Sequence, residues 1–336
     1  MGNVVIGTGS YLPERVVTNQ EIQDWDVDYD HARSGGLSLE QWGQKYIGGT
    51  SRHWVAPGQG IADLAAEAGR RALLDAGLAA DAVDLIVMAT ISTHLPQAAA
   101  NVQAKLGVGG KYIQLDSGCS GFMDALMVAD SLMDRHRYQT ALVIAGDTSS
   151  RYLHPRRFMD LSVFGDGAGA VVLRRMSGSE CGLRSFSAGS DGDLADYVTS
   201  GGGPMASDVP DEEAHYWHIQ YPKIYPWALD RFERGIRQSV ERAGLTLDDV
   251  DWVVPHQASV RIVHDVADRL GMPRQKFVLT FERTGNTVSG SVAIALDEAK
   301  RERKFADGDW LVMAAVGAGM AWNAATCQWH EPAGGM

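Results

Sequence analysis

AGLAADAVD at residues 76–84 runs into the apolar stretch LIVMA, and 167 residues later AGLTLDDVD at 243–251 runs into WVVPH. In both copies a helical stretch stops at a glycine, an acidic turn follows, and a buried strand begins. Two further pairs sit at nearly the same offset. TALVIAG at 140–146 matches DWLVMAAVG at 309–317, and YIQLDSGCSG at 112–121 matches KFVLTFERTGNTVSG at 276–290. Long-period similarity of this kind marks duplicated supersecondary units packed on one another. The chain is therefore predicted to fold as two duplicated α/β halves, 1–178 and 179–336, joined near residues 176–190.

The same offset of 167 carries Cys119 onto Asn286. Each is predicted to follow a strand and to open a helix, so a duplicated fold brings both turns to one central cleft. A cysteine at a helix N-terminus feels the positive end of the dipole and the unsatisfied N–H groups, which favour thiolate. Ser117, Gly118, Ser120 and Gly121 leave little bulk around the sulfur, so a thioester carbonyl has room to approach the backbone. Ser117 also breaks the GxSxG pattern of an α/β-hydrolase nucleophile. His256 closes the strand-like run DWVVPHQAS, at the strand end where α/β folds place functional groups. Each residue also has a plainer reading: a small buried thiol for Cys119, a structural imidazole for His256, a helix cap for Asn286. It is the three together that point to nucleophilic catalysis.

Composition narrows the function classes. Hydrophobic residues make up 45% and charged residues 21% of 336, the balance of a folded globular protein. The formal net charge is −12 and no long Lys/Arg run occurs, which argues against nucleic acid as a partner. Cys119, Cys181 and Cys327 lie far apart, as in a reducing compartment. The N-terminus lacks the pattern of a secretory signal, and no apolar run approaches the ~18 residues of a membrane span. A cytoplasmic location is expected.

Of the glycine-rich stretches GTGS near residue 7, FGDGAGAVVL from 164, SGGGP from 200 and VGAGMAW from 316, most read as turns, and none completes a phosphate or dinucleotide motif. The ten histidines show no zinc spacing, so no metal is expected. HYWHIQYPKIYPW from 215 reads as an aromatic-rich loop or lid, placed over an acyl channel or in plain packing.

DSGCSGF, FGDGAGAVVL, VPHQASVRI, TGNTVSGS and GAGMAW, in that order, resemble the motif series of the ketoacyl-acyl carrier protein synthase III family over nearly the whole chain. The resemblance implies a thiolase-like fold, layered α-β-α-β-α with pseudo-two-fold symmetry. It implies that Cys119 takes an acyl group from a thioester. His256 and Asn286 would then stabilise the enolate formed when a malonyl thioester loses carbon dioxide, giving a β-ketoacyl product. A donor aimed at a developing oxyanion is commonly worth about 3 kcal/mol. The oxyanion hole would use the N–H of Cys119 and that of Ala318, where the family more often has glycine.

By the same resemblance, Trp42, Ser259, Arg261 and Phe122 contact the substrate or its pantetheine arm. Arg261 and Arg269 dock a carrier protein, and Leu95 closes the acyl pocket of the partner in a homodimer. Coenzyme A or phosphopantetheine thioesters are the expected substrates, with no permanently bound cofactor. Tyr46 and Phe158 stand where the family usually has arginines, and Ser259 where it has asparagine. Losing planar cations weakens the grip on a nucleotide, which favours a carrier-borne donor and a role in secondary metabolism. An acidic carrier would meet Arg231, Arg234, Arg261 and Arg269. Two other functions stay open: a non-decarboxylative acyltransferase or condensing enzyme on the same fold, and a non-catalytic partner subunit.

Overall fold

A computed structural model describes residues 2–93, 97–136, 138–176, 181–200, 213 and 215–331. In the first half, β1 (Gly2–Tyr11) leads into β2 (Arg15–Thr18), α1 (Asn19–Gln23), α2 (Leu39–Tyr46), β3 (Ser51–Trp54) and α3 (Ile61–Asp75). Next come β4 (Leu85–Ala89), α4 (Gln97–Leu106), β5 (Lys111–Leu115), α5 (Gly121–His136), β6 (Thr140–Asp147), α6 (Phe158–Val163) and β7 (Gly167–Met176). The second half holds β8 (Gly182–Ser190), β9 (Val198–Ser200), β10 (Trp217–Ile219), α7 (Tyr221–Arg242), β11 (Trp252–Pro255), α8 (Val260–Leu270), α9 (Phe281–Thr284), α10 (Ser291–Arg301), β12 (Trp310–Gly317) and β13 (Ala321–Gln328).

Two mixed sheets carry the fold. The first has the order β1-β7-β6-β4-β5 and the second β8-β13-β12-β11. Every strand of the second has its counterpart in the first, with the same mixture of parallel and antiparallel pairs. The counterpart of β5 shrinks to a single parallel bridge, Val253 to Phe277, so KFVLTFERTG forms one bridge and a short helix rather than a full strand. β4 is buried along its whole length, because helices cover both faces of a parallel strand. FGDGAGAVVL forms most of β7 rather than a turn. Its Gly169 is needed for close packing, since an added Cβ would stand 2.6 Å from the Cβ of Ala293 on α10.

Helices α5 and α10 lie between the sheets. One core cluster joins Phe122, Leu126 and Ala129 of α5 with Val292, Ala293 and Leu296 of α10, and with Val87 and Val143 of the first sheet and Val254 and Met313 of the second. α3 packs on the outer face of the first sheet, and α7 with α8 on the outer face of the second. The result is the α-β-α-β-α layering that the family resemblance implies. The N-termini of the two central helices meet at the middle of the molecule, and each is preceded by a residue singled out above.

Candidate active site

Cys119 is the central residue of the turn SGCSG, two residues before α5 begins at Gly121. Ser117 and Ser120 donate to Asp124 Oδ2 at 2.5 and 2.8 Å, and Asp124 Oδ1 accepts from Asn323 of β13 at 3.2 Å. The turn is thus tied to the second sheet. Gly317, at the end of β12, presses against it from the other side, where an added Cβ would come within 2.7 Å of the Cys119 nitrogen. Ala318 follows, close enough that a Cβ on Gly118 would meet its methyl at 3.2 Å. Because Ala318 has an ordinary negative φ, alanine in place of glycine costs no backbone strain there.

Asn286 is held by the segment after α6. Its N–H donates to Val163 O at 2.7 Å and its carbonyl accepts from Gly165 N at 3.0 Å. Its side-chain Oδ1 accepts from Val288 N at 2.8 Å, which turns the amide NH2 toward the sulfur. Val288 itself sits at φ +50°, an unusual conformation for a β-branched residue. Asn286 is not the N-cap of α10, which begins only at Ser291 behind Gly290.

His256 follows β11, with its N–H on Ala314 O at 2.7 Å. Its Nδ1 lies 2.5 Å from Ser291 Oγ, and the Gln257 N–H donates to the same oxygen at 3.4 Å. A serine hydroxyl can give or take a proton at Nδ1, so either neutral tautomer is accommodated. Burial pulls the imidazole down to about 3, so it is neutral at physiological pH.

Cys119, His256, Asn286, Gly317 and Ala318 all line one cavity of about 330 Å³. The thiol receives hydrogen bonds from the Asn286 amide and from the N–H groups of Cys119 and Ala318. Those bonds favour thiolate, but burial and then the Asp147 carboxylate outweigh them and push the thiol up to about 12. The expected preference for thiolate is thus opposed by desolvation, the largest influence on the sulfur.

Asp147 was not anticipated. It ends β6, fully buried, and accepts from Thr90 Oγ1, Ile91 N and Ser92 Oγ on one side at 2.8–2.9 Å, and from Ser289 N and Oγ on the other at 3.1 and 2.5 Å. It joins the two halves directly behind the cavity. Burial raises it to about 6 against those bonds. A carboxylate closing the apolar run TALVIAGD was its only trace in the sequence.

The remaining candidates are scattered. Phe122 is fully buried in the core between the sheets and does not reach the cavity, which corrects its assignment to the substrate: on α5 it points inward from the position three after Cys119. Ser259 spends its hydroxyl on Ile262 N at 3.2 Å as the N-cap of α8, beside the cavity-lining Ala258. Trp42 lines a separate surface cleft with Tyr46 and Phe158, meeting Phe158 edge-on at 5.2 Å. Arg261 is exposed, 3.7 Å from Asp265 and over the Tyr225 ring, and Arg269 lies 3.8 Å from Glu233. Arg231 pairs with Asp191 at 2.8 Å, and Arg234 lies over Trp322. Leu95 lies outside the described residues. From the aromatic stretch, Trp217, Ile219, Tyr221 and Trp227 all line the cavity. Elsewhere, Cys181, Asp307 and His330 bring ligand atoms within 4.8 Å of one another, a grouping that their distant sequence positions concealed.

Residues 113–192 match the family model for 3-oxoacyl-[acyl-carrier-protein] synthase III, and residues 240–329 match the model for its C-terminal part. The β-ketoacyl-[acyl-carrier-protein] synthase III of Rhizorhabdus wittichii is 36% identical, over 97% of this chain and 99% of the relative. The chain belongs to this synthase III family. Among solved structures, the 3-oxoacyl-[acyl-carrier-protein] synthase III of Aquifex aeolicus has a TM-score of 0.88 at 30% identity, covering 98% of this chain and all of that one. The priming β-ketosynthase of the R1128 polyketide pathway has a TM-score of 0.89 at 28% identity, covering 98% and 97%. As a synthase III family member with the thiolase-like fold, this protein is an acyl-transferring condensing enzyme. Among the described residues no helix is long and apolar enough to cross a membrane.

Proposed function

We propose that this protein loads an acyl group onto Cys119 and condenses it with a malonyl thioester to release carbon dioxide and a β-ketoacyl thioester. The observation that carries this reading is the shared cavity: one thiol, one neutral imidazole and one carboxamide line it together. In the first step the Cys119 sulfur attacks the donor thioester. The oxyanion sits on the N–H groups of Cys119 and Ala318, and the thiol proton passes to the departing thiolate by way of His256 Nε2. Because the resting thiol is protonated, proton removal is coupled to attack rather than completed beforehand.

In the second step the malonyl carboxylate leaves as carbon dioxide, and the electron pair moves onto the thioester oxygen as an enolate. His256 Nε2–H and the Asn286 amide donate to that oxygen, and a neutral donor pair there favours the enolate, whose charge has moved onto that oxygen, over the ground state, whose charge lies on the carboxylate. The enolate carbon attacks acyl-Cys119, and collapse of the adduct frees the sulfur, which regains a proton. The substrates are coenzyme A or phosphopantetheine thioesters, with Arg261 and Arg269 on the exposed face of α8 turned to an acidic carrier. The active form is a homodimer in the cytoplasm.

Incubation with an acyl donor and a malonyl thioester tests the reading. Carbon dioxide and ketoacyl product are expected, both lost in Asn286→Ala by about two orders of magnitude, with acyl-Cys119 still forming. Acyl transfer without decarboxylation would reject it, as would full activity in Cys119→Ala.

A further inference from the structure

One wall of the cavity is aromatic, which the condensation chemistry does not require. Tyr152 and Trp217 stack with centroids 5.5 Å apart and planes 4° apart, and Phe164 meets Trp217 edge-on at 5.4 Å and 77°. Cys119 packs against the same cluster, so the wall begins beside the sulfur. The rings are fixed from behind. The Tyr152 hydroxyl donates to Ser92 O at 3.0 Å, and Arg157 donates to Trp217 O at 2.9 Å. Trp217 is further held by the pairing of β10 with β9. The Tyr152 hydroxyl and the Trp217 carbonyl are thus engaged with neighbouring groups, and both rings line the cavity. Among the described lining residues Asp116 alone is acidic, and none is lysine or arginine.

The cavity holds about 330 Å³. An apolar void of about 150 Å³ is enough to take up a benzene ring, and apolar voids stay dry when nothing fills them. An acetyl group on Cys119 would leave most of the aromatic wall facing empty space, and would forgo the dispersion contacts those rings offer. A dicarboxylic acyl group would bring a carboxylate where no lysine or arginine among the described residues lines the cavity to receive it.

Resting on the acyl-Cys119 reading above, we infer that the group loaded onto Cys119 is a bulky, uncharged, apolar acyl group, ring-bearing or of about six carbons or more, seated against the Tyr152–Trp217 stack. The segment from 215 to 227 is then the specificity element of the enzyme.

Thioesters of N-acetylcysteamine test this without presupposing coenzyme A or a carrier. Loading of acetyl, hexanoyl, phenylacetyl and succinyl groups is followed by intact mass, with Cys119→Ala as the blank. Hexanoyl and phenylacetyl groups are expected to load at least about tenfold faster than acetyl, and succinyl slowest. Acetyl loading as fast as phenylacetyl, or succinyl loading fastest, overturns the inference, and the panel on the unaltered enzyme decides this by itself. Val198→Phe, which fills the cavity from β9, is expected to shrink the phenylacetyl-to-acetyl ratio by about tenfold; an unchanged ratio overturns the seating on this wall. Carbon dioxide release from a malonyl thioester in the same samples separates the two readings. Release with acetyl-selective loading removes only the acyl-group inference, whereas no mass on Cys119 from any donor removes both.

Discussion

Two residues beside the chemistry sit where side chains rarely go. Val288 has φ +50° and Met320 φ +51°, and both line the cavity. A strained backbone of this kind costs about 1–3 kcal/mol and persists where the surroundings over-determine it. At Val288 the return is a fixed N–H that orients the Asn286 amide. Charge is handled at the same scale. Asp147 raises the Cys119 thiol, second only to burial, so Asp147→Asn is expected to lower the thiol pKa from about 12. Iodoacetamide alkylation checks it: below the pKa the rate rises with thiolate fraction, so the variant reacts faster at pH 9 by about tenfold for each unit gained. An unchanged rate would show that burial alone sets the thiol. Asp147 also has a stability signature of definite sign. Its pKa is raised from 3.8 to about 6, so the native state holds that proton more tightly than the unfolded chain. Its contribution to stability therefore falls as pH climbs from about 4 to about 6.

The elements that position Asn286 depend on a buried cation. Arg52 of β3 is fully buried, and its guanidinium donates to Val17 O at 3.2 Å and to Asn19 Oδ1 and Ser162 O at 2.6 Å. Burial pulls it down to about 10. Ser162 adjoins Val163, whose carbonyl receives the Asn286 N–H, so β3, α6 and the Asn286 turn form one hydrogen-bonded unit. Arg52→Ala strands acceptors from three segments and opens a void. A loss of about 3–5 kcal/mol is expected from urea unfolding, from the stranded acceptors and the void together. Decarboxylation by the folded fraction should fall more than acyl loading, because Asn286 rather than Cys119 loses its support. A loss under about 1 kcal/mol would place the stability of this unit elsewhere.

Over the whole molecule, the repeat explains both the fold and its cohesion. The first sheet draws all its strands from the chain through Met176 and the second all of its strands from Gly182 onward, with β2–β3 and β9–β10 as separate two-stranded pairs, yet α5 and α10 share one core between the two sheets. Polar ties cross the same boundary: Thr8 and Ser10 donate to Asp297 at 2.8 and 2.6 Å, Lys300 meets Asp75 at 2.5 Å, and Ser289 meets Asp147. The halves should therefore melt together. A single calorimetric transition, coincident with loss of tryptophan near-ultraviolet dichroism, is expected, and two resolved transitions would show independent halves.

Local pattern was enough to reveal the duplicated α/β architecture and the pairing of Cys119 with Asn286, because strand and helix periods and a repeated turn are written in neighbouring residues. The position of His256 at a strand end, where it lines the cavity, was readable for the same reason. The protonated thiol, the part played by Asp147 and the buried place of Phe122 were not, since desolvation and long-range hydrogen bonds depend on which distant segments fold over a residue. The aromatic stretch from 215 was visible as composition, but only tertiary packing turned its rings onto the cavity.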